Sequence, residues 1–196
     1  GTTGDPKGVV YSHRSNVLHA LIVSQKDCMG IGSSDVILPV VPMFHANAWG
    51  LAQAAPMIGA KLVMPGGKMD GASIYELLDT EKVTMSAAVP TVWMMLLQHL
   101  EETGKALPHL KRVIIGGSAV PRSMTQAFRD KYDVEVIHAW GMTEMSPLGS
   151  LCTLKPEVAG LTGEAELDLR QKQGYAPFGV EMKVTGDDNV ERPWDG

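Results

Sequence analysis

The chain has 196 residues, 44% of them hydrophobic and 20% charged, which is enough for one domain with a sizeable core. Its net charge of -5 argues against a general nucleic-acid surface, which needs a clustered basic face, and no uninterrupted apolar run approaches the roughly 20 residues of a membrane-spanning helix. Cys28 and Cys152 have no CxxC neighbour, form no disulfide framework and fit a reducing, cytoplasmic setting, and no secretory leader is legible. The methionines, 12 in all, read as core filler or as an adaptable lining for a flexible apolar ligand.

In chain order, Ser12 caps a predicted helix over 13–27, with Val17, Leu18, Leu21 and Ile22 on one face and Gly30 just past its end. Asp35–Val40 reads as a short apolar strand closed by Pro42, and 42–50 as a loop. A small apolar helical stretch follows at Ala52–Ile58, then a strand at Lys61–Met64. Ser73–Lys82 is an amphipathic helix with Ile74, Leu77 and Leu78 inward, and Val83–Val89 is a strand. Pro90 suits the first turn of a helix running to about Glu102, which Gly104 stops. Lys111–Ile115 is a strand, Pro121 opens a helix ending near Tyr132, and Val134–His138 is a strand again.

Apolar strands alternating with helices make an α/β fold, a parallel sheet flanked by helices. From Leu161 the helical period fades and EMKVT at 181–185 alternates, so a β-rich region is expected to begin there. The predicted division is an α/β core over 1–160 and the start of a β-rich subdomain over 161–196. The chain opens on Gly1-Thr2-Thr3-Gly4, inside a loop motif, and stops at a turn-like Pro193-Trp194-Asp195-Gly196, so an internal piece of a longer protein is expected.

Open parallel sheets bind ligands at the carboxyl ends of their strands. Pro42-Met43-Phe44-His45, Gly116-Gly117-Ser118 and Trp140-Gly141-Met142-Thr143-Glu144 each follow a predicted strand, so these segments share one sheet edge. GTTGDPKG at 1–8 is a phosphate-loop candidate: glycines let N–H groups converge on an anion, Thr2 and Thr3 add hydroxyls, and Lys7 adds charge. It is not a Walker A loop, and alone a solvated turn explains it equally well. Gly116-Gly117-Ser118 could admit a flat ring beside the backbone, or be a simple strand-to-helix turn. Trp140 could stack on a base, Thr143 donate to a phosphate and Glu144 hold Mg²⁺; a capped helix start with a core Trp is the alternative. His45 reads as a packed histidine or as a polar contact near a carboxylate. Trp49 reads as core or as the lining of an apolar tunnel.

Together these segments resemble the AMP-binding, adenylate-forming superfamily. GTTGDPKGVVYSH is similar to its signature loop and WGMTE to its second signature, with Trp140 where Tyr is usual. PMFHANAWG, SAAVPTVWMMLLQHLE, HAWGMTEMSPLGSLCTLKPE and QGYAPFGVEMKV most resemble bacterial medium- and long-chain fatty-acyl-CoA synthetases, over essentially the whole chain.

The resemblance implies part of an adenylate-forming N-terminal domain. Thr2, Thr3, Gly4 and Lys7 would cradle the β- and γ-phosphates of ATP. Gly116, Gly117 and Ser118 would border the adenine and acyl pockets, and His138, Ala139, Trp140, Gly141 and Met142 would form their wall. Thr143 would contact the α-phosphate, Glu144 would bind Mg²⁺, His45 would sit near the carboxylate and Trp49 near the acyl tunnel. The implied reaction makes an acyl-adenylate and pyrophosphate from a fatty acid and ATP, then passes the acyl group to coenzyme A. An aryl- or amino-acid-adenylating enzyme and a non-catalytic nucleotide-binding module stay open, as does a homodimer in the full-length enzyme. Thr185-Gly186-Asp187 lacks the aromatic of the ribose-binding motif and follows GVEMKV too closely to be it. That motif and the catalytic Lys domain are expected beyond Gly196, and no complete activity is expected of this chain alone.

Overall fold

The computed structural model describes residues 5 and 8–193. Its centre is a six-stranded sheet in the order β2-β1-β3-β4-β5-β6, built from Lys61–Leu62, Val36–Pro39, Met85–Ala88, Arg112–Ile115, Glu135–Gly141 and Leu148–Leu151. The first five of these run parallel, and β6 returns antiparallel to β5. Helices cover both faces, as a parallel sheet requires because its crossovers must pass over it. One face packs Ile115, Leu38 and Val113 under α4 (Gly71–Thr80), α5 (Pro90–Thr103) and α6 (Arg122–Tyr132). The other packs Ile37, Met85 and Ile114 under α1 (His13–Val23) and α3 (Leu51–Ile58). The α/β expectation therefore holds, strand by strand, from β1 to β5.

Local chemistry sets the ends. The Ser12 hydroxyl accepts from the Ser15 N–H at 3.0 Å and starts α1. Asp70 caps α4 in the same way, so that helix begins before the expected Ser73. Pro90 opens α5 and Gly104, left-handed, closes it.

Four expectations are corrected. Helix α1 ends at Val23, not near 27, and turns through 24–29. Its buried face is His19, Ala20 and Val23, while Val17, Leu18 and Leu21 are about half exposed, because α1 meets the small residues of α3 through Ala20 and His19. The loop over 42–50 contains a short turn, α2 (Ala46–Trp49), wound left-handed. Helix α7 (Gly163–Arg170) occupies the segment where the helical period fades. It is held from outside: Arg122 of α6 pairs with Glu164 and Asp168, and Arg129 pairs with Glu166. The β character expected after 180 is a small hairpin, β7 (Val184–Thr185) with β8 (Glu191–Arg192), whose turn contains Gly186 and Asp187.

Candidate functional site at the carboxyl edge of the sheet

Because β1, β4 and β5 are parallel, the segments that follow them emerge at one edge. Beyond β1, His45 is exposed, stands at the N-terminal end of the left-handed turn and makes no capping bond. The turn carries Trp49, half-buried, to the end of β4. A Cβ on Gly116 would lie 2.8 Å from the Ala139 carbonyl oxygen and 3.4 Å from Trp49 Cη2. Glycine at 116 is thus what lets β5 and the indole close on the end of β4. Gly117 and Ser118 are exposed beyond it.

Strand β5 extends past the expected His138 to Gly141, so His138, Ala139, Trp140 and Gly141 all stand on one strand. Trp140 is 38% exposed and its ring covers Gly149 of β6, where a side chain would be 2.5 Å from Cζ3. The Met142 N–H donates to the Pro147 carbonyl at 2.9 Å, and Thr143–Met145 forms a single 3-10 turn with Thr143 and Glu144 exposed.

Two buried polar atoms here have no partner: His138 Nδ1 and Ser150 Oγ, on residues 2% and 1% exposed. Trp140 is opposite Ser150 in the ladder, and strand alternation places His138 on the same face. Burial lowers the pKa of His138, against the opposing effect of the Gln171 and Lys172 backbone carbonyls, and favours the neutral ring. Buried polar groups without partners are rare and ask for an explanation.

Sequence reading gave Tyr11 no role. Its hydroxyl donates to the Thr143 carbonyl at 2.5 Å, tying the segment after residue 8 to the 3-10 turn. Burial and the nearby negative charge of Glu144 both raise the pKa of this phenol. The only signal in the sequence was its place in VVYSH, beside the loop motif. Ser150 carried no signal at all.

Thr2, Thr3, Gly4 and Lys7 lie outside the described residues. Among the described residues, no three or more His, Cys, Asp and Glu side chains gather as a metal cage, and Glu144 is exposed. A cleft of about 220 Å³ between α6, α7 and the starts of β4 and β5 lies at the opposite sheet edge. Its Arg129 and Arg170 are already paired with Glu166, so it presents no unpaired guanidinium.

The family model described as "AMP-binding enzyme" matches residues 1–196, the entire chain. The chain belongs to the AMP-binding enzyme family. Among curated AMP-binding relatives, a medium-chain-fatty-acid–CoA ligase of Ectopseudomonas oleovorans is 50% identical over all 196 residues. A 3-methylmercaptopropionyl-CoA ligase of Ruegeria lacuscaerulensis is 48% identical over the same span. The chain spans 36% of the length of each. Among solved structures, an O-succinylbenzoate coenzyme A synthetase of Bacillus subtilis, in complex with ATP and magnesium ion, superposes with a TM-score of 0.80 at 25% identity. That match covers 100% of this chain and 38% of the other.

Proposed function

We propose that this chain carries the nucleotide and acyl face of an ATP-dependent, AMP-forming fatty acid–CoA ligase. The observation that carries the reading is the meeting, at one sheet edge, of the exposed Gly117 backbone, the partly exposed Trp140 and the unpartnered His138 Nδ1. A purine fits that set: a flat face for the indole, close approach at glycine, and polar ring-edge atoms for a buried imidazole. Ser118, Ala139, Gly141 and Met142 would complete the wall. Thr2, Thr3, Gly4 and Lys7 would hold the outer phosphates.

In this reading a fatty carboxylate near His45 attacks the α-phosphorus of ATP. A C–O–P linkage forms, the α–β bridging P–O bond breaks, and pyrophosphate leaves with the electron pair. The thiol of coenzyme A then takes the acyl group and AMP departs. The obstacle is bringing two anions together, so positioning and charge neutralisation carry the catalysis. Thr143 would donate to the α-phosphate and Lys7 would offset charge at its neighbours. Glu144 suits Mg²⁺, which is held by one or two carboxylates plus phosphate oxygens and, when bound, would neutralise the phosphates. Trp49 against Gly116 would place the acyl chain beside the nucleotide. A cytoplasmic setting, where ATP and coenzyme A are available, belongs to the same proposal.

The test is acid-dependent ATP–pyrophosphate exchange by the full-length protein. Glu144→Ala should reduce exchange by about a hundredfold or more; near-normal exchange would remove Glu144 from the role. The 48% identity to a ligase named for a short thioether acid favours a second substrate reading. A panel from acetate to stearate, with 3-methylmercaptopropionate included, separates the two. Medium- or long-chain acids should prevail, and a preference for acetate or an amino acid would overturn the fatty-acyl assignment.

A further inference from the structure

Helix α1 carries a histidine on its buried face, only 7% exposed, and its Nε2 has no partner. A helix seated on alanines would normally put an apolar side chain there, since an unpartnered buried polar atom costs about 1–3 kcal/mol. The ring lies against Gly50: a Cβ on that glycine would be 2.3 Å from both Cε1 and Nδ1 of His19. An imidazole therefore fills the space that any other residue at position 50 would claim.

Gly50 is a point of reversal. Ala46, Asn47, Ala48 and Trp49 have φ of 47, 54, 52 and 56°, a full left-handed turn made without glycine. Left-handed helix costs L-residues roughly 1–2 kcal/mol each, so such a turn persists only where its surroundings impose it. Gly50, at φ 80°, closes the turn by donating to the Asn47 carbonyl at 3.0 Å, and its own carbonyl accepts from Ala54 N–H at 3.0 Å to begin the right-handed α3. The residue at which handedness switches is the residue the His19 ring is pressed against. The turn, in its strained form, is what delivers the Trp49 indole to Gly116.

We infer that His19 is a positioning residue for the acid-binding side of the site: its ring, seated in the void at Gly50, holds the Ala46–Trp49 turn left-handed and so fixes Trp49 against Gly116. The inference rests on the acyl-ligase reading for what Trp49 faces, and on this geometry alone for what holds Trp49. It also predicts which binding parameter His19 controls. Gly117, Trp140 and His138 hang from β4 and β5, which the turn meets through Trp49 at Gly116, so nucleotide binding should change far less than acid binding.

The experiment uses the full-length protein labelled with 5-fluorotryptophan, the Trp49 ¹⁹F resonance being assigned by its loss in Trp49→Phe. In His19→Ala the Trp49 resonance should shift or broaden while that of Trp93, buried in the opposite face, stays put. The KM for the acid should rise roughly tenfold with the KM for ATP within about twofold, a split in line with the cost of small misplacements. Gly50→Ala should act in the same direction through the collision with the ring. The double variant should fall well short of the product of the two singles, because removing the ring removes the collision. His19→Asn, smaller but still polar, gives the same readings if His19→Ala does not fold. An unmoved Trp49 resonance with an unchanged acid KM overturns the inference, as does an equal loss for acid and ATP, which would mark a merely structural side chain. If wild-type protein shows no acid-dependent exchange, the ligase reading fails instead. The Trp49 resonance then decides the positioning claim by itself.

Discussion

The two edges of the sheet are built on opposite terms. At the amino-terminal edge, Asp35 is 8% exposed and wholly engaged. It pairs with Arg112 at 2.8 Å and accepts from Thr84 Oγ1 at 2.7 Å and from Gly32 N–H at 2.9 Å, while Arg112 also donates to the Met29 and Gly30 carbonyls. One carboxylate and one guanidinium thus join β1, β3 and β4 to the turn after α1. At the carboxyl edge, β1 runs into a left-handed turn, β4 ends at a Gly116 covered by Ala139 and Trp49, and β5 and β6 carry two buried polar atoms without partners. A closed edge has spent its hydrogen-bonding capacity on the fold. An open edge keeps capacity for something else, and the proposed site lies there.

The largest expected effect tests the closed edge. Asp35→Ala leaves Arg112 buried and unpaired, and should destabilise by about 3–5 kcal/mol, measured by urea unfolding. Substrate KM values of the folded fraction should not change. Burial pushes the Asp35 carboxyl up, but the bonds from Arg112, Thr84 and Gly32 prevail and hold it below the ordinary carboxylate range. A carboxyl so lowered stabilises the fold above its unfolded pKa, and that contribution disappears as pH falls through the folded value. A loss under about 1 kcal/mol on Asp35→Ala would mean the edge is not locked by this pair.

A second, smaller effect arises beside the open edge. Burial lowers the His19 pKa from 6.5 to about 4. Between those values the unfolded chain binds a proton that the folded chain refuses. Stability is therefore complete above pH 6.5 and declines as pH falls toward 4, by about 3 kcal/mol in all. Urea unfolding at a series of pH values should show this decline in wild type and its loss in His19→Gln. An identical pH profile in both would place the acid sensitivity elsewhere.

Much of this contrast was legible before the fold was known, but unevenly. Strands β1, β3, β4 and β5 were readable because largely buried parallel strands are short apolar runs between turn signals, and the shared edge followed from their polarity alone. Helix α7 was not readable. GEAELDLR has a weak apolar stripe, with Leu167 its buried residue, and is fixed by ion pairs to Arg122 and Arg129 that no local period encodes. The α1 face was misread because Val17, Leu18 and Leu21 look like a core stripe, whereas the contact is made by Ala20 and His19 on small residues. The left-handed turn was invisible for a plainer reason: Ala-Asn-Ala-Trp has no glycine to announce it, and only Gly50 with the ring beneath it makes the turn hold. At the site, residues with distinctive chemistry in a recognisable order could be picked out. Tyr11 could not, since its role depends on a contact 132 positions away.

That contact gives the smallest and most local of the tests. The Tyr11 hydroxyl bonds to the backbone of the residue proposed to touch the α-phosphate, and its raised pKa keeps the phenol protonated, hence a donor, across the working range. Tyr11→Phe keeps the ring and deletes the donor. The loss should be about 1 kcal/mol, the net worth of a single hydrogen bond. If the bond merely anchors the chain after residue 8, that loss will appear in unfolding and leave exchange per folded molecule unchanged. If it holds the Thr143–Glu144 turn in register with the nucleotide, exchange should fall about fivefold while unfolding moves little. The second outcome is expected, because Thr143 and Glu144 are exposed on a turn of three residues with a left-handed Ser146 behind it, and the Tyr11 bond is a long-range restraint on that turn.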